Sequence, residues 1–542
     1  MAGTTGAWAA GDRRAALLKE CDRSGGLGRL TGADGSFIAA WVSPDGTAVE
    51  LFRSASCTTN LYLAADSHGP VWSAYVGDLV RRLGWRPGLD PRVVPALIAG
   101  VGLAPTRTWF KGVTRLPAGY VVRGTRSGWS EPRLAAPFAF RPRPQRSPEE
   151  EAETLRELIA DAVRRSLGGR RVAISFSGGV DSSILALNAR DAGCDVSLVH
   201  CSAGEDAERS AARTTARHLG LDLHLVPVPG AETPEPDAPA PYTHMSLLSY
   251  TAQIDMAARL GAETLAWGWM ADQLFEEPTP ALSLRQALNP MTLGLRPQQA
   301  LRARYGPVLD LPKSAAGAHL MALASVAVPR VMTRLSFQLP QDRRLRSAPL
   351  YWLTPEAKAA LAAEAAEARR WYVTEFEQVD SGRGDPFRAA RWSTLRQSLE
   401  DLDYAALESA MIQAAGRCWL SPYCDRSLVE YALSLAPRYR VNVVDGVRYT
   451  KPLLRAAFAE GIPAESLSRT LQPPFGGGEV GRFHRRRAAV AAELGPKSFL
   501  ARHDLIDTVA LAETLSDRGL TARGFRYLHA ALRLERWMQT RS

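Results

Sequence analysis

Hydrophobic and polar positions alternate in short runs through the first part of the chain, from about residue 30 to residue 125. The run Phe37–Val42 is strand-like, and Ser-Pro-Asp-Gly at residues 43–46 is a strong turn signal. Residues 49–52 and 62–65 resume the strand pattern, and residues 91–100 indicate a helix that opens on proline. The pattern predicts a small β-rich domain over residues 1–136.

A proline- and arginine-rich stretch, residues 137–147, predicts a linker, and a long helix follows it. Ser147 is a good N-cap, Pro148 suits the first helical position, and Glu150 completes a capping box. Apolar residues then recur at helical spacing: Leu155, Leu158, Ile159, Ala162 and Val163. We expect this helix to begin a second domain, residues 148–542.

The pattern then changes to strands that alternate with helices. A continuous apolar strand is predicted at residues 172–176, further strands at 195–200, 223–228 and 264–268, and helices between them at 182–192, 205–219 and 250–260. Such alternation is typical of an α/β fold with a doubly wound parallel sheet. Beyond Asp272 the chain is predicted to be mainly helical.

Composition narrows the class of protein. A chain of 542 residues is too long for one hydrophobic core, and 46% hydrophobic with 23% charged residues is ordinary for a globular protein. None of the six cysteines forms a C-x-x-C pair and no H-E-x-x-H occurs, so we expect no zinc or disulfide framework. The apolar stretch at 315–328 is too short to span a membrane, and no signal peptide is recognised. We therefore expect a cytoplasmic protein.

The net charge of +10 admits two kinds of partner. It suits nucleic acid, and it equally suits a polyanionic substrate such as ATP or an acidic peptide. The densest basic run, residues 482–487, is expected to be a solvated loop or helix start, with a partner-binding patch as the alternative.

The segment that carries chemistry is Ser177-Gly178-Gly179-Val180-Asp181-Ser182, which follows the first apolar strand. The glycines let backbone N–H groups approach a phosphate, and the helix N-terminus adds a partial positive charge. Ser177 and Ser182 add hydroxyl donors, and Asp181 places a carboxylate where it can hold Mg²⁺. No lysine follows the glycines, so this is not a Walker loop.

This loop resembles the pyrophosphate loop of the N-type ATP pyrophosphatases, and five further segments resemble the asparagine synthetase family in order and spacing. They are R-T-W-F-K-G-V-T-R-L-P-A-G-Y at 107–120, A-W-G-W-M-A-D-Q-L-F at 266–275, S-P-Y-C-D-R-S-L-V-E-Y-A-L at 421–433, and K-P-L-L-R at 451–455 followed by S-R-T-L-Q at 468–472. The resemblance covers about residues 30 to 480. It implies an N-terminal glutaminase-like (Ntn) β-sandwich joined to an ATP-pyrophosphatase domain that adenylates a carboxylate.

The resemblance also implies roles for particular residues. Asp181 and Asp272 would hold Mg²⁺ on ATP, and Lys451 or Arg469 would neutralise charge that develops in the reaction. The ATP-binding set would be Phe176, Ser177, Gly178, Gly179, Asp181, Ser182 and Gly268.

Three positions depart from the family pattern. Glutamine-dependent members need a cysteine as the first residue, whereas here Met1 is followed by Ala2 and the first cysteine is Cys21. We therefore expect a degenerate glutaminase domain kept for structure. Trp269 stands where asparagine synthetases have Glu and β-lactam synthetases a catalytic Tyr, and Leu471 stands at the family's R-x-K lysine.

Without released ammonia, the amine must come with the substrate. We favour a lasso peptide cyclase, which joins a core peptide's N-terminal amine to an Asp or Glu side chain as a macrolactam. The long stretch from about 275 to 420 is predicted to be a helical insertion; its aromatics Trp352, Trp371, Tyr372 and Trp392 would be either a peptide-binding wall or ordinary core. Such a cyclase would work on a precursor peptide with a leader peptidase and a leader-binding protein, and with neither nucleic acid nor membrane.

Other functions stay open at this point. Closure of a small β-lactam- or carbapenam-like ring keeps the adenylation and changes the substrate, and so does asparagine synthetase-like amidation. A tRNA-modifying pyrophosphatase would explain the positive charge and predicts salt-sensitive RNA binding. A non-catalytic nucleotide-binding scaffold would explain Leu471, but the presence of Asp181 and Asp272 argues against it.

Overall fold

The fold is taken from a computed structural model of the chain. It describes residues 3–6, 21, 26–33, 35–83, 89–140, 146–202, 207–227, 240–243, 247–276, 350–380, 386–415, 418–435, 439–444, 447–468, 487–516 and 522–540. Arg469, Leu471, the apolar stretch 315–328, residues 277–349 of the predicted insertion, and all but the last residue of the basic run 482–487 lie outside the described residues.

The N-terminal part is built on two antiparallel sheets. The larger has the strand order β1-β2-β3-β7-β8 with β9 also paired to β7, and the smaller the order β5-β4-β6. The strands are β1 Gly3–Gly6, β2 Phe37–Val42, β3 Ala48–Arg53, β4 Tyr62–Asp66, β5 Gly69–Ser73, β6 Thr114–Arg115, β7 Tyr120–Thr125, β8 Gly128–Trp129 and β9 Arg133–Leu134. Two helices accompany them, α1 Val76–Arg82 and α2 Val94–Ala99.

The two sheets share a buried layer. Ile38 of β2 and Leu51 of β3 pack in one cluster with Leu63 of β4 and Leu116. Phe37 and Phe52, which alternate with them, belong to a different cluster on the outer face of the larger sheet, with Cys21. The two-residue period of each strand therefore produces a two-layered β-structure, as the alternation predicted.

The C-terminal part is organised around a five-stranded sheet with the order β12-β11-β10-β13-β14, in which every adjacent pair is parallel. The strands are β10 Arg171–Ser175, β11 Asp195–Ser202, β12 Asp222–Pro227, β13 Thr264–Ala266 and β14 Cys418–Leu420. The connecting helices are α3 Pro148–Leu167, α4 Val180–Asp191, α5 Ala207–Leu219, α6 Leu247–Arg259 and α7 Ala271–Phe275.

Both faces of this sheet are covered. Val172 and Ile174 of β10 pack with residues of α3, α4 and α5, whereas Ala173 between them belongs to the core shared with α6. A parallel sheet buried on both faces reads as a continuous apolar run, which is why the sequence pattern predicted it. The doubly wound α/β class is what the structure shows.

The rest of the described chain is largely helical, as predicted, with three strands that the pattern missed. The helices are α8 Pro355–Val379, α9 Pro386–Leu399, α10 Leu402–Ala415, α11 Arg426–Ser434, α12 Pro452–Ala457, α13 Ala464–Ser468, α14 Arg487–Glu493, α15 Phe499–Arg502, α16 Thr508–Ser516 and α17 Ala522–Gln539. The missed strands are β14, of three residues, and the hairpin β15 Val441–Val444 and β16 Val447–Thr450. Strands this short carry too few positions to show a period of two.

Every helix in the described part of the chain is too short or too polar to cross a bilayer.

Candidate active site

The glycine-containing loop lies between β10 and α4, at the carboxyl edge of the parallel sheet. Phe176 anchors its entry: the Phe176 N–H donates to Val199 O at 2.9 Å, and His200 Nδ1 donates to Phe176 O at 2.8 Å. The helix α4 begins at Val180, two residues earlier than the pattern predicted, so Asp181 and Ser182 lie in its first turn. Gly179 is the N-cap and supplies no side-chain cap, which leaves the helix end open to an anion.

Two serine hydroxyls hold the loop in shape. Ser177 Oγ accepts from the Gly179 N–H at 3.2 Å, and Ser182 Oγ accepts from the Ser177 N–H at 3.3 Å. Ser177 is exposed, whereas Ser182 is buried. The predicted phosphate-binding residues are therefore assembled, with Ser177 on the accessible side and Ser182 inside the turn.

Gly178 is required by both conformation and space. Its φ is +68°, and a Cβ there would lie 2.5 Å from the backbone nitrogen of Ala212 in α5. The loop thus packs directly on the backbone of the neighbouring helix, where no side chain fits.

We expect Gly178→Ala to lose more than Gly193→Ala, its matched control. Gly193 has a similar φ of +73° but open space around it, so its substitution should cost only the left-handed strain, about 1–2 kcal/mol. Gly178→Ala should add the overlap with α5 and weaken ATP binding at least about tenfold, equivalent to about 1.4 kcal/mol. Thermal melting and calorimetric titration with a non-hydrolysable ATP analogue measure both effects. Equal losses in the two variants would contradict the tight packing.

The second predicted segment reaches the same place from the neighbouring strand. β13 pairs with β10, so its carboxyl end lies beside the loop. A Cβ on Gly268 would lie 3.0 Å from Asp181 Cβ and 3.3 Å from Ser182 N. Gly268 therefore lets the two segments approach each other, and α7 then presents Asp272, which is exposed.

Lys451 joins the two carboxylates. Its Nζ lies 2.5 Å from Asp181 Oδ2, also contacts Asp272 Oδ1, and lies 3.9 Å from Glu276 Oε1. The lysine is 3% exposed and adopts a left-handed backbone conformation with φ 57°. Met270, which caps α7 just before Asp272, has φ 77°; strained residues of this kind cluster at functional sites.

The charges set each other's protonation. Burial lowers the pKa of the Lys451 ammonium, but Asp181, Asp272 and Glu276 outweigh it and hold the pKa above its ordinary value. Burial raises the pKa of Asp181 to about 6, against the opposing pull of Lys451. The site therefore contains a cation where three carboxylates converge.

The residues fit both ATP and Mg²⁺. Asp181 Oδ1 is buried and has no hydrogen-bond partner, while Oδ2 is taken by Lys451. An orphaned carboxylate oxygen beside an open helix N-terminus suits a divalent cation held against phosphates. Among the described residues no three His, Cys, Asp or Glu side chains are arranged so that together they could hold a metal ion, so phosphate and water oxygens would complete the coordination that Asp181 and Asp272 begin.

Two residues that sequence reasoning missed hold this arrangement. Fully buried Arg440 donates to Gln273 O and Glu276 O at the end of α7, and its own carbonyl accepts from the Lys451 N–H at 3.1 Å. The Tyr423 hydroxyl donates to Asp181 O at 3.0 Å. Tyr423 lies inside a segment the sequence had singled out, whereas nothing marks Arg440 before the chain is folded.

The C-terminal part of the chain matches a known protein family. The asparagine synthase family model matches residues 154–539, more than half of the chain. The chain belongs to the asparagine synthase family. Membership supports an ATP-dependent ligase, and the family's use of ATP agrees with the open helix end beside Asp181.

Other comparisons add little to this family assignment. The curated proteins compared with the chain include no match. Among solved structures, the NH3-dependent NAD synthetase from Campylobacter jejuni subsp. jejuni NCTC 11168, in complex with the nitrate ion, is 15% identical. The similarity covers 41% of this chain and 95% of that chain, with a TM-score of 0.19.

Within this family member, the segment at 421–433 supports the site rather than forming its surface. Asp425 caps α11, accepting from the Ser427 and Leu428 N–H groups, and pairs with Arg165. Ser421 Oγ donates to Trp269 O at 2.6 Å and so fixes the segment that leads to Asp272.

Aromatic side chains adjoin the carboxylates. The Trp269 ring is half-buried, and its centroid lies 5.5 Å from that of Trp267 and 4.6 Å from that of Tyr404. Tyr404 was not singled out from the sequence. By contrast Trp352, Tyr372 and Trp392 are fully buried. Those three are therefore core residues, and the aromatic side chains near the site come instead from the segment between β13 and α7 and from α10.

Proposed function

We propose that this asparagine synthase family member is a lasso peptide cyclase. It adenylates an Asp or Glu side chain of a core peptide and joins that side chain to the peptide's N-terminal amine, with release of pyrophosphate and AMP. The observation that carries the adenylation half is the convergence of Asp181, Asp272 and Lys451 beside the open N-terminus of α4.

The chemistry follows from the charges of this convergence. The substrate carboxylate oxygen attacks the α-phosphorus of ATP, and the bond to pyrophosphate breaks. The amine nitrogen then attacks the activated carbonyl carbon, AMP leaves, and one proton is lost from nitrogen, so the peptide loses one water overall. Bound Mg²⁺ would neutralise phosphate charge, and Lys451, displaced from the carboxylates by that cation, would lie within reach of the phosphates.

The residues beside Asp272 favour a peptide, rather than ammonia or a small amino acid, as the substrate that supplies the amine. Trp269 replaces the acidic or phenolic side chain that resembling enzymes place there, and with Tyr404 it forms an aromatic surface next to Asp272. Aromatic faces bind apolar and cationic groups of a large substrate well. The degenerate glutaminase interpretation agrees, because Cys21 is fully buried beneath the larger N-terminal sheet.

The proposal implies two partners. The peptide's α-amine is free only after a leader has been removed, so a leader peptidase and a leader-binding protein would act with the cyclase. Co-purification of the chain with a leader peptidase or a leader-binding protein would test this association, and the failure of both to co-purify would contradict it.

The test is ATP consumption with matched synthetic peptides. A peptide with a free N-terminus and one internal Glu should release pyrophosphate and AMP and give a product lighter by one water. The same peptide with an acetylated N-terminus should still form an activated acyl group, trapped by hydroxylamine as a hydroxamate, but no ring. The Glu→Gln peptide should do neither. AMP release with short β-amino acids alone would redirect the proposal to small-ring closure, and AMP release with aspartate and ammonia to amidation.

A further inference from the structure

A group of buried charged and amide side chains joins the N-terminal sheets to the helices α8, α9 and α10, which lie in the second half of the predicted insertion. Its members are Arg53, Asn60, Arg115, Glu375, Arg396, Glu400 and Glu408, and each is at most 6% exposed. We call it the buried arginine network. The adenylation chemistry proposed above uses none of these side chains.

Glu400 is the centre of the buried arginine network. Its carboxylate accepts from Arg53 Nη1 at 3.1 Å and from the Ala118 N–H at 2.8 Å, and its carbonyl accepts from Arg115 Nη2 at 2.8 Å. Burial raises the pKa of Glu400, but Arg53, Arg396 and Arg115 outweigh it and hold the pKa below its ordinary range. Glu400, which lies between α9 and α10, thus accepts hydrogen bonds from three donors of the N-terminal part.

The helix α10 is held at a second point. Asn60 donates to Glu408 Oε2 from its side chain at 2.9 Å and from its backbone at 3.0 Å. The Asn60 Oδ1 in turn accepts from Arg115 Nη1 at 3.0 Å. The hydrogen bond between Arg115 and Asn60 therefore links the contacts at Glu400 and at Glu408 into one network.

Tyr404, one of the aromatic residues near the candidate site, lies between Glu400 and Glu408 in the chain. Tyr404 is in the first turn of α10, whose N-cap Asp401 accepts from the Asp403 N–H at 2.7 Å. The Tyr404 ring lies 4.6 Å from Trp269, three residues before Asp272. Burial raises the pKa of the Tyr404 hydroxyl, and Tyr250 and nearby carboxylates add to the rise.

Burying three arginines and three glutamates is a costly way to hold two parts together. Burial strips water from each ion at a cost in free energy, and apolar residues of similar volume often stabilise as well or better. What directed hydrogen bonds provide is a defined position. We propose that Arg53 and Arg115 of the N-terminal part are positioning residues for the adenylating site, acting through Glu400 to set Tyr404 against Trp269.

The proposal rests on the function proposed above, and it gives the N-terminal part a role in the reaction. The test compares Arg115→Gln with Arg107→Gln. Arg107 also joins the N-terminal part to the helices, by pairing with Glu364 and Glu367 of α8, but it does not hold Glu400 through its side chain. Arg115→Gln should speed hydrogen–deuterium exchange in the first turn of α10 and in residues 267–272, and Arg107→Gln should not.

Activity is measured with the peptide that gives a ring in the wild type. Arg115→Gln should lower the rate of ring formation by about tenfold to 100-fold, the loss that a displacement near 1 Å produces, with the KM for ATP unchanged. Tyr404→Ala should lose a similar factor, and the double variant should lose little more than either, because both act through one contact. If Arg115→Gln does not fold, Asn60→Ala breaks the same unit and is measured in its place.

The outcomes separate this proposal from the proposed function. Additive losses in the double variant, or equal exchange in the Arg115 and Arg107 variants, would overturn the positioning role. A wild type that adenylates no carboxylate would overturn the function, while the exchange comparison would still decide whether Arg115 holds α10.

Discussion

Asp181→Asn is expected to abolish pyrophosphate release while leaving the protein folded. The substitution keeps the shape of the side chain and removes the charge on the orphaned Oδ1, the atom best placed to hold Mg²⁺. Metal ions contribute several kcal/mol to such reactions, and each 1.4 kcal/mol is tenfold, so we expect a loss of about 10³-fold in rate. Pyrophosphate release at saturating ATP and Mg²⁺ measures it.

The same variant should melt no lower than the wild type at neutral pH. Since burial raises the pKa of Asp181 from 3.8 to about 6, the native state holds the proton more tightly than the unfolded chain. Ionising Asp181 therefore costs stability as the pH rises from about 4 through about 6, and Asn avoids that cost. Asp191→Asn, at the exposed far end of α4, is the control and should keep full activity. Normal turnover in Asp181→Asn would remove the residue from the site.

Lys451→Met is expected to slow the reaction by about 10²-fold and to make the nucleotide-free protein respond to Mg²⁺. In the wild type the ammonium lies where Asp181, Asp272 and Glu276 converge. Without it the carboxylates repel one another, so the variant should melt lower in the absence of metal and recover when Mg²⁺ alone is added. The wild type should respond to Mg²⁺ mainly in the presence of ATP, because its own lysine occupies the position.

Two further variants control the lysine experiment. Lys451→Arg keeps the charge but replaces a compact ammonium by a planar fork that does not fit between the carboxylates, so it should not restore activity. Lys358→Met removes an exposed lysine whose Nζ donates to Tyr351 O, and it should change neither activity nor the Mg²⁺ response. A Lys451→Met variant with an unchanged melting temperature and no response to Mg²⁺ would show that the ammonium does not neutralise this cluster.

Much of the adenylating half was predictable because its signals are local. A strand, two glycines and an open helix start occupy consecutive positions, and neighbouring parallel strands end at one edge, so Asp181 and Asp272 had to lie close together. Lys451 was predicted as a catalytic candidate from a segment resemblance, but its contact with both carboxylates was not. Arg469 and Leu471 lie outside the described residues, and their roles stay predictions.

The aromatic residues show where sequence reasoning stopped. Four aromatics in the predicted insertion were candidates for a peptide wall, yet Trp352, Tyr372 and Trp392 are fully buried in the hydrophobic core clusters. Tyr404 carries no motif and was passed over. Its place next to Trp269 depends on α10, which packs beside α6 and the three-residue strand β14.

By itself the sequence determined the parallel sheet, the phosphate loop and the pair of acidic residues at one sheet edge. Each depends on hydrophobic periodicity or on backbone chemistry within a few residues. Only the tertiary structure decided which cation meets those acids and how the N-terminal part contacts the site. Lys451 and Asp181 are 270 residues apart, and Arg53 and Glu400 are 347 apart. A charged residue in a sequence is compatible with solvent or with any opposite charge, and only burial, which removes the solvent, makes one partner necessary.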